Sequence, residues 1–246
     1  MNLNSINCKK ALDEAGVFIS QNFIDREKCS LLSDKIIKFI DDIDKNTTKE
    51  YDDYIVLDTN DANRGSAWMN SQSKPVINVR GNHRHIGTYD SGLIDIFNPE
   101  KLFDELNEFK NNELFQSFSK LVGSSKIMTH IYYNDGILDT RTWHKDSSII
   151  KFFIYLTDVP EECGPYGYIL GSHNNSPTLQ HSQWFEDRQS DLDVYNPADE
   201  LKVKLVGNKG DLIGSYQWGY HRGFPQEVGK KRLVYVFRIA DFNKEG

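Results

Sequence analysis

The sequence predicts an α+β fold in which a double-stranded barrel, or jelly roll, is backed by helices that come first in the chain. Up to about residue 125 the clearest apolar patterns recur at helical spacing. From residue 126 onward, short runs rich in Ile, Val, Tyr and Phe alternate with Gly, Pro, Asn and Asp. Helices followed by consecutive strands are typical of this architecture.

Length and composition bound the class of protein. A chain of 246 residues suits one domain, 1–246, with helical support and irregular loops in 1–125 and the barrel core in 126–240. The 29 basic and 36 acidic residues give a net charge of −7, which argues against nucleic acid or an anionic membrane as the main partner. We therefore expect a small-molecule substrate and a monomer or homodimer.

The cysteines and the hydropathy pattern predict where the protein resides. The chain has three cysteines, an odd number, and they are scattered without a C-x-x-C pair, as expected for free thiols in a reducing compartment. No apolar run approaches the roughly 18 residues of a membrane span, and no signal-peptide pattern precedes Lys9. These features predict a cytoplasmic protein without membrane insertion.

The N-terminal half begins with a short apolar strand at 16–20, followed by a helix. Asp25 stands at the N-cap position of that helix, and apolar residues then recur at helical spacing up to Ile43. Residues 46–97 are rich in Asn, Asp, Ser and Gly and predict an irregular region with one or two strands. Two further helices are expected, the first capped by Asn98 and the second ending at Gly123.

The pattern of the C-terminal half predicts consecutive strands. In residues 152–156 neither face is polar, so this strand is expected to be covered on both sides. The polar interval 174–200 predicts a long insert between strands. The predicted strands are 126–134, 151–159, 166–170, 201–206, 211–217 and 231–240.

The stretch Trp143-His144-Lys145-Asp146 carries the clearest chemical signal. His144 and Asp146 are two residues apart, so an extended chain projects both side chains from the same face. A second histidine, His221, would complete a 2-His-1-carboxylate site of the kind that holds non-haem Fe(II). Taken alone, Asp146 also fits a surface carboxylate and His144 a packed core histidine. The motifs that follow them in the chain favour metal ligation.

Those motifs occur in an order that resembles the phytanoyl-CoA dioxygenase (PhyH) family, most specifically over residues 127–240. The resemblance implies a double-stranded β-helix and an oxygenase dependent on Fe(II) and 2-oxoglutarate. By motif position, His144, Asp146 and His221 would hold the iron, and Arg232 would bind the far carboxylate of 2-oxoglutarate. The motifs are His144-x-Asp146, 157–159 (Thr-Asp-Val), 164–165 (Gly-Pro), 171–173 (Gly-Ser-His), 210–211 (Gly-Asp), 221–223 (His-Arg-Gly) and Arg232.

Coordination chemistry supports this reading independently of the family. Three protein ligands leave three positions on Fe(II), of which a chelating 2-oxo acid takes two and O2 the third. A guanidinium suits a distant carboxylate because its planar fork pairs both oxygens and keeps its charge. By strand alternation Arg232 shares one face with Val234 and Val236, so it is able to enter the barrel. Ascorbate is an expected additive for activity in vitro.

Other polar and aromatic side chains have two interpretations. Tyr133 and Thr129 share a face and are candidates to hydrogen-bond the 2-oxo acid, while His130 is either packed in the core or close to the co-substrate. Trp143 flanks the ligand motif and fits either the core or a substrate platform. His173 lies in a tight turn and is expected to be structural.

Candidate substrate contacts come from two long stretches, 60–90 and 174–200, which are either lids or surface connections. In the first, Arg80 belongs to a locally basic segment that suits an anionic substrate group or a solvated loop. The second contains Trp184. Together with Trp143, these are the predicted substrate residues.

We therefore predict a 2-oxoglutarate-dependent non-haem iron dioxygenase that hydroxylates a small molecule and releases succinate and CO2. The carboxylate of Asp146 favours hydroxylation, although desaturation and ring closure use the same triad. Two alternatives remain open. One is a non-catalytic jelly-roll module that binds carbohydrate, and the other is a cupin-like metalloenzyme that does not use 2-oxoglutarate.

Overall fold

The computed structural model describes residues 3–57, 74–80, 91–124, 126–146, 149–174 and 198–240. Within these ranges the chain forms two sheets with helices against one of them. The helices are α1 Ser5–Ala15, α2 Arg26–Asp42, α3 Leu106–Lys110 and α4 Glu113–Leu121. The strands are β1 Val17–Ser20, β2 Lys49–Glu50, β3 Ile55–Leu57, β4 Val76–Val79, β5 Ile94–Phe97, β6 Ile127–Asp135, β7 Ile149–Tyr155, β8 Tyr166–Ile169, β9 Lys202–Leu205, β10 Leu212–Tyr216, β11 His221–Gly223 and β12 Lys231–Ala240.

The large sheet has nine strands in the order β1-β10-β7-β12-β6-β5-β4-β3-β2, and the small sheet has the order β11-β8-β9. Neighbouring strands run antiparallel except β3 and β4. β12 lies in the middle of the large sheet, where it pairs with β6 on one side and β7 on the other. Two facing sheets of this kind form a double-stranded β-helix, as predicted.

A core of apolar side chains fills the space between the two sheets. The large sheet contributes Phe153, Val234 and Val236, and the small sheet contributes Tyr168 and Leu205. These residues alternate along their strands with residues that face outward, as the period of a strand requires. The inner faces of the two sheets therefore enclose the space in which the site lies.

A second and larger core lies between the outer face of the large sheet and the helices. Phe115 stacks on Phe237 with ring centroids 3.9 Å apart, and Phe118 meets Phe152 edge-on at 4.9 Å. Such pairs contribute about 0.5–1.5 kcal/mol beyond the area that they bury. Residues 152–156 are buried on both faces because they lie between these two cores, which confirms the prediction for this strand.

The helix ends follow local chemistry. Asp25 caps α2, since its Oδ1 accepts the backbone N–H groups of Glu27 and Lys28. Asn112 caps α4 in the same way. The predicted helix after Asn98 is wrong in its first turns, because Asn98 has a positive φ of 51° and makes no side-chain cap. A 3-10 turn, Pro99–Lys101, follows instead, and α3 begins only at Leu106.

The N-terminal half contributes more strand than the sequence indicates. In the described part of 46–97 there are four strands, β2 to β5, where one or two were predicted, and they extend the large sheet beyond β6. β1 forms its opposite edge by pairing with β10. The first 125 residues therefore form part of the barrel wall as well as its helical support.

Within the part of the chain that the structure describes, no helix is both long and apolar enough to cross a lipid bilayer. Cys8, Cys29 and Cys163 are buried free thiols.

Candidate metal centre

The two histidines predicted as ligands are brought together by backbone pairing. The segment around His144 bridges to β11 at His221 in antiparallel orientation, with N–H···O distances of 3.0 and 2.9 Å. Their imidazole centroids are 4.4 Å apart. The histidines are 77 positions apart in the sequence, but this isolated bridge places them directly opposite each other.

Asp146 completes the cluster. Its backbone N–H donates to the Gln217 carbonyl at 2.7 Å, which fixes the chain two residues beyond His144. One ligand atom from each of His144, Asp146 and His221 lies within 4.8 Å of the others. The structure thus brings the three predicted ligand residues together.

Hydrogen bonds orient both imidazoles. Nδ1 of His144 lies 2.8 Å from the Thr142 carbonyl, and Nδ1 of His221 lies 2.9 Å from the Gly219 carbonyl. A carbonyl only accepts, so each Nδ1 carries the proton and each Nε2 keeps its lone pair. Nε2 of His221 lies 3.7 Å from Asp146 Oδ2, on the inner side of the cluster. This second layer of hydrogen bonds is typical of metal-binding histidines.

The protonation states also suit a metal. Burial, followed by the Arg141 guanidinium, holds the pKa of His144 well below its usual range. Burial likewise lowers the pKa of His221, against the opposing effect of Asp146. Burial alone would raise the pKa of Asp146, but the Lys151 ammonium and the His221 ring together hold that pKa well below normal. Two neutral imidazoles and an ionised carboxylate are the forms that bind a divalent cation.

Lys151 is a buried cation beside this carboxylate. It lies on β7 with its Nζ 3.4 Å from Asp146 Oδ2, and about a tenth of each side chain is exposed. Ser215 of β10 lies opposite it in the register. A buried ammonium needs a charged partner, and Asp146 supplies one.

Arg232 enters the barrel on the inner face of β12, as predicted. One Nη donates to the Gly164 carbonyl and the other to Asn134 Oδ1 at 3.2 Å. A Cβ on Gly223, two residues beyond His221, would be 3.5 Å from its guanidinium, so Arg232 lies beside the strand that carries the distal histidine.

One pocket contains both the candidate metal ligands and Arg232. Its volume is about 110 Å³, and its walls combine charged groups with aromatic and aliphatic side chains. Such a mixture suits a polar ligand that must be held away from water. The described lining residues are Arg80, Leu93, Tyr132, Arg141, His144, Asp146, Lys151, Phe153, Tyr155, Tyr166, Gln217, His221, Gly223, Arg232 and Val234.

Tyr133 and Thr129, predicted to contact the co-substrate, lie on the opposite face of β6. In the register they pair with Leu233 and Phe237, whose side chains pack toward the helices. The Tyr133 hydroxyl instead lies 3.2 Å from Asp135 Oδ2. The inner face of β6 carries Tyr132, which lines the pocket. The tyrosine of β6 that faces the pocket is therefore Tyr132, one residue before the predicted Tyr133.

Trp143 does not line the pocket either. It meets Phe224 edge-on at 5.8 Å on the outer face of the small sheet. A Cβ on Gly167 would lie 2.5 Å from Phe224 and 3.1 Å from Trp143, so glycine is needed beneath these rings. Lys145 also projects away from the metal ligands, as alternation predicts, and its Nζ lies 4.3 Å from the Tyr220 ring centroid.

Two further histidines among the described residues, His130 and His173, have packing partners. Nε2 of His173 lies 3.0 Å from the Asp13 carbonyl at the end of α1, which agrees with a structural role. His130 is buried between Phe97 and Tyr132.

Of the three predicted substrate residues, Arg80 reaches the pocket. Its Nε donates to Asp95 Oδ2 at 2.8 Å, and the carboxylate is fully buried. The guanidinium lies 5.7 Å from the Tyr132 ring centroid. Trp184 and most of the stretches 60–90 and 174–200 lie outside the described residues.

Sequence reasoning missed Lys151, Arg141, Tyr132 and Gln217. Lys151 left a signal, because it is the one charged residue in the otherwise apolar strand β7. Tyr132 could not be identified with certainty from the sequence, because strand alternation separates two faces without showing which one faces inward. Arg141 lies within the irregular segment between β6 and β7, and Gln217 lies in the turn directly after β10; neither belongs to a periodic pattern.

The sequence matches the phytanoyl-CoA dioxygenase (PhyH) family over residues 12–225. The chain belongs to this family. The match includes the triad and the strands from β1 to β11, whereas β12, with Arg232, lies beyond its end. No curated protein sequence matches the chain.

Solved structures support the same fold at low sequence identity. The epimerase SnoN from nogalamycin biosynthesis, in complex with Fe3+, alpha ketoglutarate and nogalamycin RO, has a TM-score of 0.62 and 12% identity, covering 96% of this chain and 83% of that one. The carbocyclase SnoK from the same biosynthesis has a TM-score of 0.61 and 13% identity, covering 98% of this chain and 85% of that one. HygX from Streptomyces hygroscopicus, with nickel, 2-oxoglutarate and hygromycin B bound, has a TM-score of 0.56 and 10% identity. The match covers 96% of this chain and 87% of that one.

These findings confirm the predicted family, fold and enzyme class. This PhyH-family chain is a 2-oxoglutarate-dependent non-haem iron dioxygenase with a His-Asp-His candidate metal site.

Proposed function

We propose that this PhyH-family enzyme hydroxylates a small molecule, with its iron held by His144, Asp146 and His221. The observation that carries the proposal is the placement of this triad and Arg232 in one pocket. A metal site alone would suit several reactions. A guanidinium in the same enclosed space adds a reason for a dicarboxylate co-substrate.

The donor set fits Fe(II). Two imidazole nitrogens and one carboxylate oxygen, all within 4.8 Å of each other, suit an iron that keeps open positions. With 2-oxoglutarate and O2 bound, such an iron supplies the oxidation of an unactivated C–H bond to an alcohol, while 2-oxoglutarate becomes succinate and CO2. The carbonyls of Thr142 and Gly219 hold the imidazoles in the tautomer that this role needs.

We assign Lys151 to the positioning of Asp146. Its ammonium keeps the carboxylate ionised and restricts the direction in which Oδ2 points. This contact leaves Asp146 able to ligate a metal without a separate proton loss.

We assign Arg232 to the far carboxylate of 2-oxoglutarate. The Gly164 carbonyl and the Asn134 side chain orient its guanidinium, so little side-chain entropy remains to be lost on binding. Phe153 and Val234 provide an apolar wall in the same pocket, which suits the methylene groups of the co-substrate and excludes water.

Hydroxylation is the outcome that the residues favour, because the carboxylate of Asp146 occupies the position that related halogenases leave open for halide. A small-molecule substrate agrees with the solved structures, whose names place them in nogalamycin biosynthesis or describe bound hygromycin B. The buried free thiols Cys8, Cys29 and Cys163 support our proposal of a reducing, cytoplasmic compartment.

The test is the consumption of 2-oxoglutarate and formation of succinate, followed by mass spectrometry, with Fe(II) and ascorbate across a panel of small molecules. We expect succinate formation that depends on iron and that a true substrate accelerates. The product should be heavier than that substrate by one oxygen atom, about 16 Da. A protein that binds iron but never consumes 2-oxoglutarate would instead support the cupin-like alternative. One that binds neither would support the binding module.

A further inference from the structure

Three buried side chains in or next to the pocket carry polar atoms that make no hydrogen bond within the described part of the chain. These residues, Gln217, Asp95 and Asn78, are fully buried. The atoms are Gln217 Oε1, Asp95 Oδ1, and both Oδ1 and Nδ2 of Asn78. Buried polar atoms without a partner are costly, and native proteins keep them few. Four of them on three neighbouring residues therefore point to a ligand.

Gln217 lies close to the candidate metal ligands. It lines the pocket, and its backbone carbonyl accepts the Asp146 N–H at 2.7 Å. Its side-chain Nε2 donates to the Tyr166 hydroxyl at 3.0 Å and to Ser215 Oγ at 3.2 Å. These two hydrogen bonds fix the amide group, so Oε1 is held in place as an acceptor.

Asp95 and Asn78 continue the inner face of the large sheet beyond the pocket wall. Tyr132, a lining residue, pairs with Asp95, and Asp95 pairs with Asn78. Asp95 Oδ2 accepts from Arg80, another lining residue, at 2.8 Å, which leaves Oδ1 for a second donor. The residues on either side of Asn78 pack toward the helices, so by strand alternation its side chain faces inward.

The chemistry of these atoms defines the group that complements them. Three are acceptors, so a ligand must donate to them, while Nδ2 of Asn78 needs an acceptor. A hydroxyl does both through one oxygen, whereas an ammonium only donates and an ionised carboxylate only accepts. This holds for either orientation of the Asn78 amide, since neither end has a hydrogen-bond partner among the described residues. Several hydroxyls on one neutral ligand match the whole set.

We propose that the substrate is a neutral polyhydroxylated molecule, a polyol or a sugar, whose hydroxyls bind Gln217, Asp95 and Asn78. This inference rests on the proposed function, because it names the substrate class of that reaction. Hydrogen bonds at several points of the ligand would present one of its C–H bonds in a fixed position, as an oxidation at one carbon requires.

The experiment is calorimetric titration of three neutral polyols, glycerol, myo-inositol and methyl glucoside, into protein loaded anaerobically with Fe(II) and 2-oxoglutarate. Cyclohexanol, which has one hydroxyl, is the matched control for myo-inositol, and putrescine supplies donors without an acceptor. The absorption band of the iron-bound 2-oxo acid verifies loading before each titration. We expect at least one polyol to bind saturably, and cyclohexanol and putrescine not to bind.

Two substitutions test the residues. Asn78→Leu keeps the size of the side chain but removes both polar atoms, and it should weaken polyol binding roughly tenfold or more. Gln217→Met removes Oε1 and should weaken binding to a similar extent. Asn107→Leu, a matched change at an exposed position of α3, should leave binding unchanged.

Asn78→Leu has a second readout that a structural role would reverse. Without a polyol, the loss of two buried polar atoms that lack partners should raise the thermal unfolding midpoint by roughly 2 °C or more. A lower midpoint would show that the amide supports the fold, and it would overturn the proposal.

The remaining outcomes separate this inference from the proposed function. If the absorption band never forms on loading, the proposed function fails and this inference fails with it. If loading is normal, three results overturn the inference alone: no polyol binds, putrescine binds instead, or polyol binding is the same in the wild type and both pocket variants.

Discussion

At the scale of single residues, the decisive feature is which face of a strand each side chain occupies. The alternation along β12 predicted correctly that Arg232 and Val234 face inward. The same reasoning on β6 identified Thr129 and Tyr133 as sharing a face, but it was the outer face. Sequence periodicity defines two faces, and only the pairing of β6 with β12, Val234 opposite Tyr132, decides which one lines the pocket.

This correction yields a prediction with an internal control. Tyr132→Phe should change 2-oxoglutarate or substrate affinity several-fold, since a hydroxyl that hydrogen-bonds in a pocket contributes about 1 kcal/mol. Tyr133→Phe should leave both affinities unchanged, because its ring lies in the outer core. Michaelis constants measured for both variants test the pair. Equal effects from the two changes would contradict the assignment of faces.

Arg232 gives a second prediction at this scale. Arg232→Ala should weaken 2-oxoglutarate binding by an amount that approaches the ~2–5 kcal/mol of a broken buried charge pair. Arg232→Lys should recover only part of it, because one ammonium cannot reproduce the fork held by Gly164 and Asn134. Titration of the iron-bound 2-oxo acid absorption band measures both. The same affinity in wild type and Arg232→Ala would make the arginine structural.

At the scale of elements, the strands of the C-terminal half were predictable and those of 46–97 were not. β7 and β12 carry long apolar runs whose ends the turn residues mark. β3, β4 and β5 have only three or four residues each, and their stability comes from addition to a sheet edge already formed by β6. Short strands of this kind depend on tertiary pairing, which a local pattern does not contain.

The contact between α1 and the barrel gives a prediction for an element. The end of α1 is held by His173 at the Asp13 carbonyl and by the Tyr216 hydroxyl at Asp13 Oδ1, 2.7 Å away. His173→Ala should therefore lower the free energy of unfolding by about 1–3 kcal/mol while iron binding is retained. Tyr216→Phe is the milder companion and should cost about 1 kcal/mol.

Denaturant unfolding with parallel metal analysis distinguishes these roles. A His173→Ala protein of normal stability that had lost its iron would show that this histidine is a ligand, contrary to its contact with α1.

At the scale of the whole molecule, the fold buries all three cysteine thiols. Burial raises the pKa of Cys8 to about 12 and that of Cys29 to about 11, and it also raises the pKa of Cys163. A raised thiol pKa leaves almost no thiolate at pH 8, and the thiolate is the reactive form. Native protein should therefore react slowly with a thiol reagent, whereas denatured protein should give three rapid equivalents.

Reaction progress followed by absorbance at pH 8, with and without denaturant, checks this. Rapid modification of even one thiol in the native protein would show that the fold opens around it.

At this scale too, two distant parts of the chain converge on one candidate iron site. The three residues could be predicted because the H-x-D spacing and the later histidine are recognisable in the sequence. The residues that orient them, such as Lys151, could not, because their positions depend on strand pairing. Anaerobic Fe(II) binding, measured as metal per chain, tests the claim most directly. We predict one Fe(II) per chain in the wild type and in His173→Ala, and loss of most metal affinity in His144→Ala and in His221→Ala. Unchanged iron content in both ligand variants would contradict the account.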